Sequence, residues 1–328
     1  MMAKIAAIEY YLPEIILTNN DLATKFPEWS AEKIAKKTGI SKRHISSEDE
    51  FASDLAVKAT ELFFKEHAIN RQEIDFILYC TQSPDYPFPA TACILQDRLN
   101  LQKNIGALDY NLGCSGYIYG LALGSSLVNS GLSKKLLLIT SETITKYIGE
   151  NDKGNQTLFG DAAAVTLIEQ GNSVVSTIEG FTFGTDGSGM NSIIAKKDSR
   201  GHQFSKIPFD KEQGVLQMNG PEVFNFAIKL APSLVEETLL KAKMSAEEID
   251  YYIFHQANAY LLTQIRKRLK IDTERFIIDM SDVGNTVASS IPIVLKNLQK
   301  KGKIKEGSKL LLAGFGVGLS WGACIVKW

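Results

Sequence analysis

The 328-residue sequence has almost no net charge, with 36 Lys and Arg against 37 Asp and Glu. That balance excludes a field able to attract nucleic acid or an anionic membrane non-specifically, so neither is expected as a partner and any recognition of charge is local. Cysteine is scarce: Cys80, Cys93, Cys114 and Cys324 show no CxxC spacing, which leaves no zinc motif and no disulfide framework and suits reduced thiols. No metal is expected. No secretory leader is expected either, because the apolar run of MMAKIAAIEYYLPE is short and stops at Glu9. The longest apolar segment, KLLLAGFGVGLSWGACIVKW, is punctuated by glycine, and its β-rich ends read as two buried strands around a turn rather than a membrane span. A soluble, cytoplasmic protein is the expectation.

What is present is an ordinary globular composition, 45% hydrophobic and 22% charged, in a chain long enough for one large or two medium domains. Its organisation is a repeat. RQEIDFILYCTQSP, from Arg71, matches AEEIDYYIFHQANA, from Ala246, at an offset of 175 residues. ALDYNLGCSGYIYG matches IIDMSDVGNTVASS, bringing Cys114 and Asn285 into register at an offset of 171. SKKLLLITSE, from Ser133, matches GSKLLLAGFG, from Gly307, at an offset of 174. Three offsets this similar predict an internal duplication, with halves at 1–171 and 172–328. Each half reads strand, helix, strand, helix, strand, hence parallel sheets packed on helices with right-handed crossovers.

In open α/β sheets ligands sit off the carboxyl ends of strands. Those ends carry Cys80-Thr81-Gln82 and Cys114 in the first half, and His255-Gln256-Ala257-Asn258, Asn285 and Phe315 to Gly318 in the second. Most free cysteines are small buried hydrophobes, and Cys80 and Cys324, inside strands, read that way. Cys114 differs: Gly113 permits a sharp turn before it, and the helix after it opens on Ser115 and Gly116. A thiol there feels unpaired N–H groups and the positive dipole end, which favour thiolate. The small residues Gly116, Gly120, Ala122, Gly124, Ser125 and Ser126 let that helix pack between two sheets. This is the strand–turn–helix presentation of a nucleophile.

A thiolate needs a partner. His44, His67 and His202 lie in charged, exposed stretches, whereas His255 ends an apolar strand, either as a core histidine or as part of a site. Asn285 reads as a cap or turn residue unless the repeat brings it to the site. Lys196 to Gly214 lacks apolar periodicity and reads as a surface excursion, a solvated loop or part of a substrate entrance.

The motifs GCSGY, FHQAN, GNTVASSIP and GFGVGLSWGA, in this order, resemble the β-ketoacyl-acyl-carrier-protein synthase III family of the thiolase superfold. TGISKRHI, PDYPFPATA, LFGDAAA and DGSG extend the resemblance over nearly the whole chain. It implies an α/β fold of two duplicated βαβαβ halves forming a layered α-β-α-β-α sandwich. It implies that Cys114 accepts an acyl group from a thioester, and that His255 and Asn285 donate hydrogen bonds to the thioester carbonyl of malonyl-acyl carrier protein. Loss of carbon dioxide leaves an enolate whose carbon attacks the acyl group, giving a 3-oxoacyl chain two carbons longer. The oxyanion hole would be the backbone N–H groups of Cys114 and Val317, where the family usually has glycine at the second position. Leu158, Phe159 and Phe226 would line the acyl pocket. Phe88 matches a residue that crosses a dimer interface into the partner's pocket, so a homodimer is implied. No cofactor is needed beyond the thioester substrates.

The chain departs from the family at the coenzyme A or pantetheine entrance. The tryptophan of the family falls at Lys33, with Trp29 four residues earlier, and two arginines fall at Lys37 and Lys153. Lysine keeps the attraction for phosphate but loses planar stacking on adenine. Arg266, Lys267 and Arg268 are the candidates for carrier-protein docking, against the plainer reading of a solvated helix face. The competing functions are an acyltransferase passing the acyl group from Cys114 to a small-molecule amine or hydroxyl, and a non-catalytic partner of an active homologue.

Overall fold

The computed structural model describes residues 2–171, 177–196 and 216–328. The strands are β1 Ala3–Tyr11, β2 Ile15–Thr18, β3 Lys42–Ile45, β4 Phe76–Cys80, β5 Gly106–Tyr110, β6 Lys135–Glu142, β7 Ala162–Gln170, β8 Ile178–Thr185, β9 Ile193–Ala195, β10 Leu216–Met218, β11 Tyr251–Phe254, β12 Phe276–Ile277, β13 Lys309–Gly316 and β14 Ser320–Lys327. The helices are α1 Asn19–Lys25, α2 Ala31–Thr38, α3 Ala52–His67, α4 Thr91–Arg98, α5 Gly116–Asn129, α6 Lys153–Gln156, α7 Gly220–Ala242, α8 Ala259–Leu269 and α9 Ser290–Lys300.

Two five-stranded sheets carry the fold, ordered β1-β7-β6-β4-β5 and β8-β14-β13-β11-β12. The two orders correspond strand for strand, as the repeat requires. Within each sheet only three strands are parallel. β4 pairs in parallel with β5 and β6, and β11 with β12 and β13. The remaining two are antiparallel: β7 on β6 and β1 on β7 in one sheet, β14 on β13 and β8 on β14 in the other. The expectation of purely parallel sheets is corrected here. β6–β7 and β13–β14 each reverse direction between neighbours, the first through the long 143–161 connection that holds α6 and the second through the tight turn at 317–319. The apolar C-terminal segment is the β13–β14 hairpin, two buried strands around a turn.

The apolar residues sort into layers. α3 and α4 cover the outer face of the first sheet, with Leu55, Phe63, Ile77 and Leu95 at 0% exposure. α7 and α8 cover the outer face of the second, around Leu234, Phe254 and Leu262. Between the sheets lie α5 and α9, packed through Tyr117, Ile118, Leu121, Ile291 and Val294 against Leu138 and Leu312. α5 survives that position because its small residues admit close neighbours: a Cβ on Gly120 would come within 2.3 Å of the Tyr110 hydroxyl, and one on Gly124 within 2.6 Å of Ile168. The result is five layers, α-β-α-β-α, with α5 and α9 in the central one. No helix among the described residues is long and apolar enough to cross a membrane. The excursion predicted over Lys196 to Gly214 lies outside the described residues except for Lys196, which is buried, and His202 lies outside them as well.

Candidate active site

Cys114 sits in the turn between β5 and α5, immediately before the helix N-cap Ser115. The turn is closed by the Gly116 N–H donating to the Gly113 carbonyl at 2.8 Å. Gly113 has no left-handed backbone, and a Cβ there would stand 2.3 Å from Gln82 Oε1, the end of a flexible side chain that can move aside. The β13–β14 hairpin approaches from the other half. A Cβ on Gly314 would lie 2.4 Å from the Cys114 carbonyl oxygen, and one on Gly316 would lie 2.8 Å from its Sγ. Gly316→Ala is therefore expected to block acylation of Cys114, read as loss of labelling by an acyl thioester while the thermal unfolding midpoint stays within a few degrees. Full labelling of that variant would show that the hairpin does not press on the thiol.

The half-buried Cys114 thiol does not have the low pKa that a helix N-terminus alone predicts. Burial pushes it up to about 12, against an opposing pull from the backbone N–H groups of Cys114 and Val317, which face the sulfur. Desolvation outweighs the oriented amides, so the resting residue is the neutral thiol. The same two amides are the pair the sequence assigned to an oxyanion. Val317 lies in the hairpin turn; it is not among the residues of positive φ, so its side chain strains nothing, and its carbonyl accepts from the Ser320 hydroxyl at 2.7 Å.

His255 follows β11, fully buried, and its N–H donates to the Ala313 carbonyl at 2.7 Å. Its Nδ1 lies 2.8 Å from the Ser290 hydroxyl, which also accepts from the Gln256 N–H at 3.2 Å. Ser290 can accept from Gln256 and give its own hydrogen to Nδ1, and in that arrangement the ring hydrogen sits on Nε2. Nε2 is buried and has no partner among the described residues. Burial also lowers the pKa of the ring to about 4, against a smaller opposing influence of the Val287 backbone, so the ring is neutral at pH 7.

Asn285 is 5% exposed in the loop before α9, one short 3-10 turn further from its helix than Cys114 is from α5. Its N–H donates to Leu158 at 2.8 Å and its carbonyl accepts from Gly160 at 3.0 Å. Its Oδ1 is held by the Val287 N–H at 3.0 Å, leaving the Nδ2 amide as the free end of the side chain. Gly284, at φ +73°, makes the preceding left-handed turn, and a Cβ there would crowd the Leu158 carbonyl at 2.9 Å.

Of the expected pocket residues, Leu158 and Phe159 pack in one apolar cluster with Cys114, Val287 and Val317. Phe226 does not join that cluster; it lies on α7 against Phe315 and Trp321, with ring centroids 6.4 and 5.7 Å away. Phe88 projects from the loop after β4 and is 84% exposed. Ile144, Tyr147 and Val287 also belong to the cluster, with Ile193, Leu216 and Met218 among others, and Ser290 lies against His255 Nδ1; sequence reasoning did not find these residues. Val287 and Ser290 had a signal, since both lie in the GNTVASSIP motif.

Above the cluster opens a cavity of about 1050 Å³ lined by Trp29, Lys37, Lys153, Leu158, Met218 and Asn258 among others. Three ammonium groups surround the indole of Trp29: Lys33 at 5.5 Å, and Lys37 and Lys153 at 4.8 Å from the ring centroid. The entrance residues named from sequence are thus together, and Leu158 joins the cavity to the Cys114 cluster. The basic run is placed differently. Asn258 caps α8 at the cavity, while Arg266, Lys267 and Arg268 occupy its last turn, roughly 12 Å further along the axis. Arg266 donates to the Ile271 carbonyl at 3.0 Å, closing the helix end. Lys267 and Arg268 remain exposed.

A buried thiol with two backbone amides facing it, a neutral imidazole and a carboxamide, both presenting N–H groups, suits acyl transfer with an enolate intermediate. Comparison with known proteins points the same way. Residues 108–187 match the family model for 3-oxoacyl-[acyl-carrier-protein] synthase III, and residues 239–328 match the model for its C-terminal part. The chain is 38% identical to the β-ketoacyl-[acyl-carrier-protein] synthase III of a Clostridium perfringens strain, covering 99% of each chain. It is 37% identical to that of Caldanaerobacter subterraneus, covering 97% of this chain and 95% of the other. A crystal structure of a 3-oxoacyl-(acyl-carrier-protein) synthase III superposes with a TM-score of 0.94 at 40% identity, covering 100% of both chains. The β-ketoacyl-[acyl carrier protein] synthase III of Thermus thermophilus gives 0.90 at 34% identity, over 99% of each. The chain belongs to the 3-oxoacyl-[acyl-carrier-protein] synthase III family, the thiolase-fold condensing acyltransferases of fatty acid biosynthesis.

Proposed function

We propose that Cys114, His255 and Asn285 carry the condensation in two half-reactions. In the first, the Cys114 sulfur attacks an acyl thioester; the new S–C bond replaces the old one, and the thiol proton leaves with the departing thiol. In the second, malonyl-acyl carrier protein loses carbon dioxide, and the electron pair of the broken C–C bond becomes an enolate held by His255 Nε2–H and Asn285 Nδ2–H. The enolate carbon attacks the acyl group. The tetrahedral oxyanion rests on the Cys114 and Val317 amides and collapses, and the released thiolate takes up a proton from solvent. No cofactor is needed beyond the thioesters.

The observation that carries this reading is the Ser290–His255 pair. With Ser290 donating to Nδ1, the proton is on Nε2 of a ring that stays neutral, and a neutral donor stabilises an enolate without protonating its carbon. Leu158 and Phe159 form the acyl wall, with Phe226 behind the second sheet's apolar face, and the Trp29, Lys33, Lys37 and Lys153 group receives the phosphates of the thioester carrier. Lys267 and Arg268 are the exposed charges for an acidic carrier protein, with Arg266 bracing their helix. A homodimer fits the exposed apolar residues Tyr86, Phe88 and Leu108, at 58, 84 and 48% exposure, beside the unpaired edge strand β5. The division into halves at 1–171 and 172–328 follows the two sheets, and the cytoplasm is the compartment where reduced thiols persist.

The test is carbon dioxide release from carboxyl-labelled malonyl-acyl carrier protein in the presence of acyl thioester donors. Condensation predicts stoichiometric release with 3-oxoacyl product. Acyl transfer to an added amine or alcohol without release would replace this reading with the acyltransferase one.

A further inference from the structure

Arg43, on β3, is 0% exposed and heads the fully buried side chains in size. All its acceptors are neutral: the Leu17 carbonyl at 3.3 Å, Asn19 Oδ1 at 2.8 Å and the Thr157 carbonyl at 2.7 Å. Its Nε has no partner, and no described carboxylate forms an ion pair with it. A buried cation without a counter-ion loses its hydration and regains little, so packing alone would favour an apolar residue of similar volume. The guanidinium stays charged at neutral pH although burial lowers its pKa to about 10.

What it grips explains its presence. Thr157 precedes Leu158, whose carbonyl accepts the Asn285 N–H, and Gly160 donates back to the Asn285 carbonyl. The Arg43 Cβ lies directly under this bridge, 3.2 Å from where a Cβ on Gly160 or Gly284 would stand. Cys114 hangs from other elements, the β5–α5 turn and the β13–β14 hairpin, and meets the 157–160 segment through the Leu158 and Phe159 side chains of its apolar cluster, so the acyl donor in the test is kept short.

We propose that Arg43 is a positioning residue for the decarboxylating half-reaction, fixing the Asn285 carboxamide through the 157–160 segment. The inference rests on the role given to Asn285 above. A misplacement of about 1 Å at a reacting group costs on the order of 10²-fold in rate.

The experiment uses full-length Arg43→Met and Arg43→Lys, checked for folding by thermal melts. Two rates are measured: acylation of Cys114 by the shortest thioester that acylates the wild type, and carbon dioxide release from malonyl-acyl carrier protein. Arg43→Met is expected to acylate within about twofold of wild type while release falls about 10²-fold. Arg43→Lys, which can still reach one carbonyl, should recover part of that loss and carries the test alone if the methionine variant does not fold. Combined with Asn285→Ala, either should add little to the loss that Asn285→Ala causes by itself. Equal falls in both half-reactions, or losses that add fully, would overturn the proposal for Arg43. If Asn285→Ala alone leaves release intact, the fault lies with the role of Asn285, and the basis of the proposal goes with it.

Discussion

Replacing Cys114 with alanine is expected to lower condensation by at least about 10⁴-fold, because the nucleophile has no substitute and the residual rate is that of the donors alone. Cys80, which lies under the Cys114 turn against Gly116, cannot stand in: it is fully buried, its Sγ donates to the Leu112 carbonyl at 3.0 Å, and burial holds it far above the ordinary thiol range. Steady-state turnover with saturating donors checks this, and the alanine should leave the fold intact, since removing one sulfur from a half-buried turn creates only a small void. A variant retaining a tenth of the activity would mean that the chemistry does not pass through Cys114.

His255→Ala is the second large effect. The loss of one preorganised donor costs about 10²–10³-fold in rate, or about 3 to 4 kcal/mol. The loss should fall on carbon dioxide release, with acylation of Cys114 nearly unchanged, because the ring faces the second substrate rather than the sulfur's first reaction. The pH profile provides a further check. With the pKa lowered to about 4, His255 keeps one charge state at higher pH and is a donor throughout. Activity should therefore show no inflexion attributable to His255 between about pH 5 and pH 8. Because the unfolded ring takes up its proton near 6.5 and the folded one only near 4, stability should decline as pH falls from about 6.5 to about 4 and level off below that. An inflexion near pH 6.5 that disappears in His255→Ala would instead mark a general base and favour simple acyl transfer.

Much of this site was legible in the sequence because the relevant signals are local or repeated. Gly113-Cys114-Ser115-Gly116 announces a turn into a small-residue helix, and the duplication carries that position across to Asn285. His255 was separated from the other histidines by the apolar strand that ends on it. What escaped depends on contacts that form only when distant segments close. The antiparallel edges of both sheets escaped because β1 and β8 precede the repeated core strands in each half, and their pairing partners lie far along the chain: Ala3 opposite Gln170, Ser320 opposite Thr185. Ser290 as the orienter of His255 joins residues 35 apart. The thiol's pKa was misjudged because a helix N-terminus is visible in a sequence and desolvation is not. His67, taken as exposed, is half-buried on α3, with Nε2 3.2 Å from the Ile8 carbonyl and 3.4 Å from Lys296 Nζ. His44 is half-buried too, its Nδ1 2.5 Å from the Pro13 carbonyl. Phe226 has the periodicity of any buried helix face, and only the packed structure shows that it meets Phe315 and Trp321 rather than the thiol's cluster.

The acyl-Cys114 intermediate is the central claim, and intact-protein mass spectrometry tests it most directly. The protein is incubated with acyl-coenzyme A and, separately, with acyl-acyl carrier protein of graded chain length, with Cys114→Ala in parallel. The account predicts one acyl adduct per chain, mapped to the peptide containing Cys114, absent from the alanine variant and discharged by malonyl-acyl carrier protein. An adduct that persists in Cys114→Ala, or no adduct with any donor that supports turnover, would contradict it.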